Sequence, residues 1–167
     1  MASPPWLILC GWCRKQASRR GQGLRLKSYS RRRLLTVFWL IVRNSNAFVG
    51  CLLDDDLSVL KGLRRLFSSA ELPAETFSDP KEFLQYARTH RPAVALVDVC
   101  MPQMSGLEVQ SQLSQISPST RVIIFTGKDD PLVRSTALNA GASAFLTKPF
   151  DDEELLTAVR LALVPAN

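Results

Sequence analysis

Five short apolar runs, each followed by a segment of helical period, constrain residues 49–167 of this chain more than any other feature. The runs fall at 49–53 (VGCLL), 74–77 (AETF), 93–97 (AVALV), 121–125 (RVIIF) and 143–146 (SAFL). Most lack the polar alternation of a half-solvated strand, as expected of parallel strands covered on both faces. The helical segments start near Leu57, Asp79, Gly106, Asp129 and Asp151. The first places Val59, Leu63 and Leu66 on one face with Phe67 beside them. The last opens with Asp151-Asp152-Glu153-Glu154, acidic residues that complement the dipole of a first turn. Strands and helices in strict alternation argue for a doubly wound parallel sheet. Right-handed crossovers place helices on both of its faces, so the expected fold is an α/β three-layer sandwich with five parallel strands.

Charge marks a boundary that net composition hides. The chain of 167 residues carries +6, yet residues 1–48 hold ten Lys and Arg and no Asp or Glu. Residues 49–167 hold eleven basic and all fifteen acidic side chains, a net of −4. We therefore divide the chain into a basic extension, 1–48, and a domain, 49–167. The extension has one strongly apolar stretch, the nine residues 34–42 (LLTVFWLIV), too short for the about 20 that a spanning helix needs. A long basic stretch before it and no small-residue cleavage site after it fit a secretory signal poorly. Such a segment has too little apolar surface to offset the entropy of ordering, so a disordered or locally helical tail is expected. Arg19–Arg20 and Arg31–Arg33 offer a second reading, contact with nucleic acid or an anionic membrane. Cys10 and Cys13 form a lone C-x-x-C without a second ligand pair, and Cys51 lies in a core strand where packing explains it.

In open parallel sheets, sites form beyond the carboxyl ends of the strands. The first strand is followed by Asp54, Asp55 and Asp56, the third by Asp98, the fourth by Thr126, and the turn after the fifth holds Lys148. The second strand supplies nothing comparable, as expected at a sheet margin. Singly these residues are ordinary: an Asp run is commonly a turn or helix cap, Thr-Gly a turn, Lys before Pro a surface charge. Their coincidence at one edge is what singles them out. His90 reads as an exposed helix end without a role, and Gly141 as a helix C-cap.

The stretches LLDDDLSVLKGLRRLF, LVDVCMPQMSG, FTG and FLTKPF resemble the receiver domain of two-component response regulators, over residues 49 to about 164. The most specific piece is D-x-x-M-P-x-M-x-G, with Asp98, Met101, Pro102, Met104 and Gly106; Thr126 and Lys148 follow Asp98 at family-like spacing. The wording of strands and helices is similar to the nodulation- and nitrogen-fixation-type regulators. The resemblance implies a flavodoxin-like sheet of order 2-1-3-4-5 and makes Asp98 the phosphoacceptor. It gives Lys148 and Thr126 catalytic parts, with Thr126 and Phe145 as the switch pair. Mg²⁺ would be held by Asp54, Asp55 and Asp98, with Asp55 and Asp56 as the pair if the register shifts by one. It also implies a cis peptide before Pro149 and puts Cys100 and Lys128 at the positions that tune phosphoryl lifetime in the family.

The chemistry implied is self-phosphorylation and self-dephosphorylation of an aspartate, a switch rather than a dedicated enzyme. Clustered carboxylates favour a raised pKa or a bound cation, and Mg²⁺ is a hard ion suited to them. The partners implied are a sensor histidine kinase or phosphotransfer protein and a downstream protein in a cytoplasmic phosphorelay. Leu132, Val133 and the last helix offer a homodimer or partner face, against a plain core reading. Only three residues follow Val164, so the expectation is a receiver without an output domain. Two competing functions are a DNA-binding regulator using the basic arm at 14–33 and an unphosphorylated pseudo-receiver. Nucleic acid is the weaker partner reading, and no P-loop supports an independent kinase.

Overall fold

Why the alternating runs become one sheet is visible in the computed structural model, which describes residues 50–164. The basic extension, its boundary near residue 48, the apolar stretch 34–42 and the Cys10/Cys13 pair lie outside the described residues. The elements are β1 (Gly50–Leu53), α1 (Leu57–Ser69), β2 (Ala74–Phe77), α2 (Pro80–His90), β3 (Val94–Asp98), α3 (Gly106–Ile116), β4 (Arg121–Thr126), α4 (Pro131–Asn139), β5 (Ala144–Thr147) and α5 (Asp152–Leu163). The five strands are all parallel, in the order β2-β1-β3-β4-β5. β2 is at an edge, and β1, β3 and β4 are central.

Successive strand residues face opposite sides, so each central strand feeds two cores. Leu52, Leu96, Ile123 and Phe125 pack with Leu60, Leu63 and Phe67 of α1 and Leu155 and Val159 of α5. Cys51, Leu53, Ala95, Val97 and Ile124 pack with Phe83 of α2, Val109 and Leu113 of α3 and Ala137 of α4. Each large side chain so buried contributes on the order of 1.5–3 kcal/mol, which explains why these strands cannot afford polar alternation. Burial also pushes the Cys51 thiol up to about 12, with nearby Glu75 adding to it, so Cys51 serves packing.

Several local expectations shift when the elements are seen. The buried face of α1 is Leu60, Leu63 and Phe67; Val59 and Leu66 are only half-buried. Helix α4 begins at Pro131, two residues after Asp129, because Asp130 caps it and proline needs no N–H partner at the first position. Ser105 and Glu108 form a reciprocal capping box at α3. The C-cap of α4 is Ala140; Gly141 is the next residue, at φ +91°, a conformation that favours glycine. His90 is exposed but not idle, since its ring stacks on Tyr86 with centroids 3.9 Å apart and closes the end of α2. Among the described residues no helix is long and apolar enough to cross a membrane.

Candidate functional site

Strand order brings the ends of β1, β3, β4 and β5 to one edge of the sheet, and each end delivers a polar side chain. Asp54 follows β1 and is 1% exposed. Its backbone N–H donates to the Phe77 carbonyl and its Oδ1 accepts from the Asp56 N–H at 2.8 Å. Asp98 is the last residue of β3, 3% exposed, and its Oδ2 accepts from the Cys100 N–H. Thr126 ends β4, also buried, with its Oγ1 accepting from the Lys128 N–H at 3.2 Å and lying 3.8 Å from the Cys100 Sγ. Asp98 and Thr126 are thus the last residues of their strands, paired across the sheet with Phe125 and Thr147, one position inside the loops where the sequence alone puts them.

Lys148 joins these groups. Its backbone N–H donates to the Thr126 carbonyl at 2.7 Å, and the peptide to Pro149 is cis. Its Nζ donates to Asp54 Oδ2 and to Asp98 Oδ1, both at 2.8 Å, while standing 4.5 Å from the centre of the Phe125 ring. One ammonium therefore bridges two buried carboxylates from different strands. Burial disfavours the charged lysine, but hydrogen bonds and attraction from Asp54 and Asp98 outweigh it and raise its pKa above the usual value. Burial likewise pushes the Asp54 carboxyl up, against the lowering pull of Lys148.

The three consecutive aspartates separate in space. Asp54 is in the buried pair, Asp55 is exposed on the loop, and the Asp56 carboxylate caps α1 by accepting from the Ser58 N–H at 2.7 Å. That bond holds the Asp56 carboxyl below its usual range. Two of the expected three carboxylates converge, and among the described residues no group of three or more metal-ligating side chains is gathered. Two buried carboxylates, with the exposed Asp55 on the adjoining turn, are still a hard-oxygen donor set that fits Mg²⁺, which takes one or two carboxylates and keeps several waters.

Phe145 on β5 is 7% exposed and lies beneath the Arg134 guanidinium, 4.6 Å from ring centre to Cζ. Cys100 and Lys128 are exposed beside the site. Met101 is core and Met104 half-buried, so neither forms a soft-metal pair. Arg134 is the residue the sequence did not reveal. No motif marks it, and only the packing of α4 on β5 brings it to the site.

Residues 51–160 match the response regulator receiver domain family. The chain belongs to that family. Response regulator protein TodT of Pseudomonas putida is 41% identical over 120 residues, 72% of this chain and 53% of TodT. Nodulation protein W of Bradyrhizobium diazoefficiens is 36% identical over 106 residues, 64% of this chain and 47% of that protein. The BeF3-activated DrrB receiver domain superposes with a TM-score of 0.63 at 29% identity, over 70% of this chain and 97% of the DrrB structure. This receiver spans about half the length of the curated relatives it matches.

The bridge predicts how the receiver responds to pH and to loss of the lysine. A lysine raised above its unfolded value stabilises the fold fully below about pH 10.5, and that stability is lost as pH rises through the folded value. Asp54 has the same sign at lower pH: its raised carboxyl costs stability as pH rises past the unfolded carboxylate range. Lys148→Met leaves both carboxylates buried without their cation. We expect it to cost about 3 kcal/mol at pH 8 without divalent ions. The deficit should shrink as pH falls toward 5, where Asp54 takes up a proton more readily. Urea unfolding of both proteins across that range checks it; a pH-independent difference would refute the bridge as its source.

Proposed function

We propose that this receiver accepts a phosphoryl group on Asp98 from a histidine kinase or phosphotransfer protein and passes the change to a downstream protein in a phosphorelay. The observation that carries the reading is Lys148 Nζ bridging Asp54 and Asp98 at 2.8 Å each, at the carboxyl edge of the sheet. An Asp98 oxygen attacks phosphorus as the bond from phosphorus to the donor breaks, and the bonding electrons leave with the donor. The product is an acyl phosphate, a covalent intermediate that water later hydrolyses to restore the carboxylate. Lys148 already stands against Asp98, so its ammonium can follow the charge onto a phosphoryl oxygen as a compact donor. Thr126, tied here to the Lys128 N–H, supplies a hydroxyl to another oxygen when it moves toward Asp98.

Mg²⁺ when bound neutralises charge on the nucleophile and the incoming group. Asp54 and Asp55, with Asp98, are the residues we assign to it; Asp56 is committed to capping α1. The protein is then a self-modifying switch rather than a dedicated enzyme. Phe145 is already buried, so inward movement of Thr126 is the change that reshapes the surface of α4 and β5 for a partner. The test is intact mass after incubation with Mg²⁺ and a small-molecule phosphodonor such as acetyl phosphate. We expect one phosphoryl adduct that hydroxylamine removes, as it does an acyl phosphate. A folded protein that takes no adduct from donor or kinase would leave the pseudo-receiver reading in its place.

A further inference from the structure

Helix α4 is held to the domain differently from its neighbours. It buries one side chain, Ala137, whereas α1 and α3 bury three each and α2 and α5 four each. Polar side chains take up the task. Gln110 of α3 donates to the Ala137 carbonyl at 2.9 Å. Arg134 reaches across to β5, donating to Thr147 Oγ1 at 3.1 Å and the Phe145 carbonyl at 3.4 Å, with its guanidinium over the Phe145 ring. Asp129, in the loop after Thr126, orients it by accepting at 2.8 Å and 3.3 Å.

These contacts meet at the switch. Thr147 is the β-ladder partner of Thr126 and the neighbour of Lys148; Asp129 is on the loop that Thr126 begins; Phe145 is the switch aromatic. A planar fork with five donors can serve all of them from one side chain, which a lysine cannot. A guanidinium over a ring face is attractive in itself, more so when partly desolvated.

Resting on the receiver reading above, we propose that Arg134 is a positioning residue of the switch: it holds Phe145 in the buried rotamer and ties α4 to β5. Phosphoryl acceptance at Asp98 favours the same buried Phe145. The two are therefore linked, and by reciprocity the latch strengthens binding of a phosphoryl group or its mimic. Arg134 touches neither Asp98 nor its ligand; it acts through Phe145 and the loop after Thr126.

The experiment measures the affinity of the full chain for beryllofluoride with Mg²⁺, by calorimetry, alongside urea unfolding. Arg134→Met should bind about fivefold more weakly, the reduction expected when the competent state falls from dominant to a minor population. Arg134→Lys, which keeps charge without the fork, should fall between and serves if the methionine variant does not fold. In a Phe145→Leu background the effect of Arg134→Met should shrink to under about twofold, because the group it acts through is gone. A folded Arg134 variant with parent affinity overturns the proposal, as does an equal loss in the Phe145→Leu background. A parent protein that binds no beryllofluoride overturns the receiver reading and takes the latch with it, and so is distinguishable from either.

Discussion

Asp98→Asn is expected to abolish the phosphoryl adduct while leaving the fold as stable as the parent within about 1 kcal/mol. The substitution keeps the shape of the side chain but replaces one carboxylate oxygen by an amide nitrogen, which does not attack phosphorus. Its structural cost is small for a reason peculiar to this site. Lys148 is shared between two carboxylates, so removing the charge at Asp98 leaves Lys148 paired with Asp54 at 2.8 Å. A buried one-to-one pair replaces two carboxylates competing for one cation, and no charge is stranded. Intact mass with acetyl phosphate, read beside urea unfolding, separates chemistry from folding. An adduct of parent mass on the asparagine protein would place the acceptor elsewhere.

Gly106→Ala should have the largest structural effect of any single methyl addition near the site. An added Cβ would collide with the Asp98 carbonyl oxygen and stand 2.9 Å from its carbonyl carbon and 3.0 Å from the Val99 Cα. All three are backbone atoms, so no side chain can rotate away. The Gly106 N–H also donates to the Val99 carbonyl at 3.1 Å, which pins the start of α3 against the end of β3. Relief requires α3 to back off and take with it the loop that presents the Cys100 N–H to Asp98. We expect a loss of about 3 kcal/mol in urea unfolding. Phosphoryl acceptance should fall further than stability accounts for, because the hydrogen bond to Asp98, the proposed nucleophile, moves as well. Stability and adduct yield equal to the parent would mean that the strand-to-helix approach is looser than described.

These two residues show what kind of information a sequence carries well. Asp98 and Gly106 belong to one local segment, and the spacing between them is read along the chain. The same holds for the strands, whose apolar runs reflect burial on both faces. Element ends were less legible, since Asp130 and Pro131 compete with Asp129 as starting signals and only the formed cap decides. The three aspartates after β1 are chemically alike in sequence. Backbone geometry makes one a buried partner of Lys148, one an exposed loop residue and one the cap of α1.

The sequence by itself determined the α/β layering, the strand ends that carry the polar side chains and the family to which residues 51–160 belong. Those properties follow from local periodicity and short spacing, which survive without knowledge of what touches what. Tertiary structure alone decided that Lys148 bridges Asp54 and Asp98, residues 94 and 50 positions away. It alone placed Arg134 over Phe145, joining a weakly buried helix to the last strand. Such contacts depend on the order and register of parallel strands and on the angle at which a helix lies across them. No residue encodes that geometry in its immediate neighbours, because it arises only when all five strands have paired.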